Sequence, residues 1–124
     1  MQNYNSKFKT DIRQRCYQFS LQILQLTDTL PNKRSAWVLS DQLIRSATSV
    51  GANLVEGRAA SSRLEFKKFY EIALKSANET QYWLNLIMDA RLSLDNSISA
   101  LLKESEEISC ILASGVLKLK ERKF

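Results

Sequence analysis

Residues 42–82 read QLIRSATSVGANLVEGRAASSRLEFKKFYEIALKSANETQY, and this stretch decides the fold. Two long helical patterns flank a short turn at about 57–61. Gln42, Ser46, Ser49, Asn53 and Glu56 step by four, three, four and three residues, so they share one helix face. Beside them Leu39, Leu43, Ala47, Val50 and Leu54 form an apolar stripe, and Ala47 with Gly51 leaves room for a neighbouring helix to approach closely. Glycine inside a helix costs about 1 kcal/mol against alanine, so a packing reason is expected at Gly51. After the turn, Ser62 followed by Glu65 predicts a capping box: the hydroxyl accepts from the Glu65 amide, and the carboxylate reaches back to the Ser62 amide. The next helix turns Phe66, Phe69, Ala73, Ala77, Leu84 and Ile87 inward, with Ser76, Glu79 and Tyr82 on its polar face.

A solvent face is ordinarily rich in lysine and glutamate; this one carries short side chains that can be satisfied inside a protein. If the chain folds back near residue 60, Arg45 and Glu79 fall within about a turn of each other and form an ion pair. Gln42, Arg45, Ser49, Asn53, Glu56, Ser76 and Glu79 are therefore read as a structural polar network that fixes register. A subunit contact is the second reading, and a ligand site the third. Trp83 reads as core filling, while Trp37 and Trp83 also suit a contact between protomers.

Outward from this stretch the same periodicity continues. Helices are predicted at about 6–29, 33–58, 63–91 and 96–122. Phe8, Ile12, Cys16, Phe19, Ile23 and Leu30 make the stripe of the first; Ile98, Leu101, Ile108, Ile111, Leu112, Val116 and Leu119 make that of the last, with Asp95 as its N-cap. Pro31-Asn32 breaks the first helix from the second. The 124 residues contain 3 glycines and 1 proline, too few for the many turns of a β-rich chain. Short connections force neighbours in sequence to run in opposite directions. The expected fold class is all-α, an antiparallel up-down-up-down four-helix bundle forming one domain over 1–124.

Composition also excludes. Histidine is absent, which removes the commonest general base and transition-metal ligand, and no nucleophile–base pair is visible. The 2 cysteines, Cys16 and Cys110, form no metal-binding spacing and are expected to be buried, reduced thiols. Gly51, Gly57 and Gly115 are isolated, so there is no phosphate loop. The polar start MQNYNSKFK predicts no signal peptide, and no apolar run approaches a membrane span. The expectation is a cytoplasmic, non-enzymatic protein with no cofactor and no metal.

Charge is the remaining signal. The net charge is +5, and the expected topology concentrates it. Residues 7–15, 56–68 and 118–123 meet at one pole, with twelve basic side chains against four acidic ones. Lys118 and Lys120 complement the dipole at the end of the last helix, but Lys7 and Lys9 oppose it at the start of the first. The pole is thus a candidate footprint for phosphate backbone, through Arg13, Arg15, Arg58, Arg63, Lys67, Lys68, Lys118 and Lys120.

The run Q-x-x-R-S-x-x-S-x-G-A-N-x-x-E-G from Gln42 to Gly57, followed by EFKKFYEIALKSANETQYWL, resembles the bacterial four-helix-bundle family known from open reading frames inside 23S rRNA intervening sequences. The resemblance spans nearly the whole chain. It implies a cytoplasmic, non-enzymatic bundle. A related branch, the accessory variability proteins of diversity-generating retroelements, implies a homo-oligomer of five copies that binds RNA or DNA and a reverse transcriptase or ribonucleoprotein. The functional expectation is an oligomeric bundle that binds nucleic acid electrostatically. The alternative is a protein–protein adaptor with no nucleic-acid affinity.

Overall fold

The computed structural model describes residues 11–94 and 96–121, and among these four helices are joined by short turns, with no strand. Helix α1 spans Ile12–Asp28, α2 Arg34–Arg58, α3 Arg63–Asp89 and α4 Ser97–Glu121. The expected starts at residue 6 and at the Asp95 cap lie outside the described residues, as do Phe8, Lys7 and Lys9.

Local chemistry sets the boundaries. Asp11 caps α1, its carboxylate accepting from the Arg13 amide at 2.8 Å. Pro31 follows the end of that helix, where the Thr29 hydroxyl donates to the Leu26 carbonyl at 2.7 Å. Ser62 caps α3 as expected, its hydroxyl accepting from the Glu65 amide at 3.1 Å. The other half of the box differs: the Glu65 carboxylate takes the Ser61 amide at 2.7 Å, one residue beyond the cap. With Ser62 extended at φ −148°, the Ser61 amide is the orphan donor within that carboxylate's reach. Helix α3 stops two residues before the expected 91. Arg91 takes a left-handed φ of 57°, and the Leu92 amide bonds the Ile87 carbonyl at 3.1 Å, which closes a Schellman motif.

Each helix packs on its neighbours in chain order and α1 on α4, while the diagonal pairs make no such contact among the described residues. The α2–α3 seam is the most extensive and the α1–α4 seam the sparsest. Phe19, Ile23, Leu43, Val50, Leu84, Ile87, Ile108 and Leu112 are fully buried in one core fed by all four helices. Each such side chain contributes about 1.5–3 kcal/mol through removal from water. A methyl group at Gly51 would stand 3.3 Å from the Cys16 Cβ, so α1 and α2 touch backbone to side chain there. Two expected core residues fall outside: Ile111 is 38% exposed, and Cys110 is exposed rather than buried. They follow Ser109 on α4, whose inward turns are taken by Ile108 and Leu112. Both cysteines are free thiols, and burial pushes Cys16 up to about 12.

Candidate nucleic-acid interface and polar seam

The polar residues of α2 and α3 meet along their common seam. Ser49 and Ser76 share a hydrogen bond of 2.9 Å, and the Asn53 amide donates to the Ser49 hydroxyl at 2.9 Å and to the Ser49 carbonyl at 2.8 Å. Arg45 pairs with Glu79 and is steadied by the Gln42 side-chain Oε1, which accepts from it at 2.8 Å. The Trp83 indole N–H donates to Glu79 at 2.9 Å, so this side chain braces the seam while half-buried against the core. Burial pushes the Glu79 carboxyl up, but the Trp83 donor and the Arg45 guanidinium together hold it below the ordinary carboxylate range.

The seam is layered. Its fully buried members are Ser46 and Thr80, with the Thr80 hydroxyl donating to Ser46 at 2.9 Å. Ser49, Asn53 and Ser76 are half-buried, and Arg45 is exposed. Glu56 departs from the expected network. It is exposed and makes no side-chain hydrogen bond among the described residues, because α2 is already within a turn of its end there. Thr80, Gln81 and Ser109 escaped the sequence reading. The Gln81 amide donates to Ser109 at 2.7 Å, tying α3 to α4. For Thr80 and Gln81 the position beside Glu79 was the available signal, and Ser109, on another helix, had none.

The eight cations divide by their partners. Arg15 is committed to α4: it donates to Glu104 at 2.7 and 2.8 Å and also pairs with Glu107. The Glu104 carboxylate, more than any other group, raises the Arg15 pKa further above its ordinary value. The Arg15 expected to face phosphate is thus held in a double ion pair with α4 carboxylates. Arg13 pairs with its own cap, Asp11, whose carboxyl it holds below the usual range. Lys120 reaches Glu71 at 3.9 Å. Arg58, Lys67, Lys68 and Lys118 stand outside any ion pair among the described residues. Arg63 opens α3 directly after the turn and is exposed. Asp11 lies near enough to Arg58 for that charge to help lower its pKa. Tyr70 passes Gly115, bringing the start of α3 against the end of α4.

Residues 9–114 match the profile of the family described as 23S rRNA-intervening sequence protein. The chain belongs to that family. A solved member of related description is a crystal structure of a protein of unknown function from the S23 ribosomal protein family of Bacteroides thetaiotaomicron. It is 35% identical, with a TM-score of 0.78, and the alignment covers 85% of this chain and 97% of that one. No curated protein matches the chain. Within this intervening-sequence family member no helix, among the described residues, is long and apolar enough to cross a membrane. Nor does any cluster of Cys, Asp and Glu among those residues have the arrangement to hold a metal ion.

Proposed function

We propose that this intervening-sequence family protein is a non-enzymatic, oligomeric helical bundle that binds structured RNA through one basic tip. Its helices run up, down, up and down. The residue pairs 45 with 79 and 49 with 76 support that order, since numbers fall on one helix as they rise on the next. So do 16 with 51 and 20 with 47 between α1 and α2, and 70 with 115 and 81 with 109 between α3 and α4. In this order the α2–α3 turn, the start of α1 and the end of α4 share one extremity.

The observation that carries the reading is the set Arg58, Lys67, Lys68 and Lys118, cations outside any ion pair among the described residues on three helices, α2, α3 and α4. Of the acidic groups interspersed with them, Asp11 is occupied by Arg13 and Glu65 by the Ser61 amide, while Glu56 stands exposed beside Arg58. Unpaired lysine and arginine bind phosphate by counterion release, with little base readout, and no groove-reading motif is present. The family's association with 23S rRNA insertions agrees with an RNA partner.

The test is an electrophoretic titration with a structured rRNA fragment at two salt concentrations. Affinity is expected to fall with salt, and to fall at least tenfold when Arg63, Lys67 and Lys68 are all reversed to glutamate, with the helical signal intact. Binding indifferent to both changes would overturn the reading and favour an adaptor whose partner is a protein.

A further inference from the structure

The outer flank of the α3–α4 seam carries exposed side chains that phosphate binding leaves unused. On α3, Leu64, Lys68, Glu71 and Lys75 step by four, three and four residues and share one stripe. On α4, Ala113, Leu117 and Lys120 step by four and three and do the same. Lys120 reaches Glu71 at 3.9 Å, so the two stripes lie side by side. Leu64 is 64% exposed and Leu117 59%. Lys68 and Lys75 are exposed and stand outside any ion pair among the described residues. A single exposed leucine is ordinary on a protein surface, but two beside one row of lysines make a patch that is apolar and basic together.

We infer that this flank is a docking surface for an acidic amphipathic helix of a partner protein. Two packed helices leave a lengthwise furrow between them, and a furrow of this kind takes a third helix by its apolar face. Lys68 and Lys75 are seven residues apart, about 10 Å along α3. Carboxylates two turns apart on the partner match that spacing. Aliphatic side chains between them then lie on Leu64 and Leu117, and the small Ala113 gives room for their approach. Charge and apolar surface choose this occupant together. RNA takes the lysines but leaves both leucines in water. A second copy carries +5 and is repelled by the lysine row. A bilayer needs a broad apolar face, and here two aliphatic side chains flank the Glu71 carboxylate, which anionic headgroups repel. Lys68 is shared with the basic tip, so helix and RNA compete there, while Lys75, Leu64 and Leu117 belong to the flank.

The probe is a labelled helical peptide with two glutamates two turns apart and leucines between them, followed by fluorescence anisotropy. It is expected to bind the parent chain, and to bind about tenfold more weakly once glutamine replaces its leucines or lysine its glutamates. Leu117→Gln and Lys75→Glu, both at exposed positions, are each expected to weaken the parent peptide by about tenfold with the helical signal intact. Leu117→Gln is expected to leave RNA affinity unchanged, because the tip cations are untouched. A parent chain that does not bind the peptide, or binding indifferent to both substitutions, would overturn the surface. So would leucine-dependent attachment to phosphatidylglycerol vesicles that the peptide does not displace, which would assign the flank to lipid. This contact stands apart from the RNA reading, and the two fail separately. Salt-dependent RNA binding without peptide binding sinks only the helix site, and peptide binding without RNA binding sinks only the tip.

Discussion

Arg91 is the residue under most backbone strain among those described. Its φ of 57° belongs to the left-handed region, which glycine enters without steric cost. Arg91→Gly keeps the Schellman bonds and is expected to raise stability by about 0.5–1 kcal/mol, less what the freer unfolded chain takes back. A urea melt measures it. Gly115 shows the opposite constraint, since a methyl group there would overlap the Tyr70 ring. Gly115→Ala is expected to destabilise by about 1–3 kcal/mol, as overpacking does, and Tyr70→Leu in the same chain to recover part of that loss. Glu79 carries a pH signature. Its carboxyl titrates below the unfolded value, so the pair with Arg45 contributes fully above the ordinary carboxylate range and is lost as pH falls through the depressed one. In Glu79→Gln that part of the acid-side slope is expected to vanish from urea midpoints taken between neutral and acid pH. The Arg45–Glu79 pairing was legible from sequence because a turn at residue 60 fixes which positions face each other. The fate of Arg15 was not: Glu104 lies 89 positions away, and nothing local announces it.

At the scale of the element, α2 and α3 could be read almost to the residue. Their ends are set by local events: an extended Lys33 before α2, the Ser62 hydroxyl before α3, and Arg58 closing α2. Ser62→Ala is expected to cost about 1 kcal/mol by leaving the Glu65 amide without its acceptor, seen as a lower thermal midpoint with unchanged helical content. The length of α3 was overestimated by two residues, because a non-glycine left-handed cap has no composition signal. On α4, periodicity assigned Ile111 and Leu112 alike to the core. A helix offers its neighbours one stripe, and Ile108, Leu112 and Val116 fill it, leaving Ile111 on the flank.

Across the whole molecule, the proposed tip depends on which cations remain outside ion pairs. Four such contacts, Arg58, Lys67, Lys68 and Lys118, give a slope of log affinity against log salt of about −4, whereas all eight would give about −7. The measured slope therefore counts the cations engaged. Arg15→Gln is expected to leave that slope unchanged while lowering stability, because it removes the partner of Glu104. Sequence alone determined that this chain is four helices with a defined apolar stripe on each, since helix periodicity, caps and breakers act over a few residues. It also determined the family, whose motif is a contiguous run from Gln42 to Gly57. The tertiary structure alone decided which charges are cancelled, which hydroxyls are sealed in the core, and which seam is left open. Those outcomes hang on distances between side chains far apart in the chain, and electrostatic and burial energies follow distance in space.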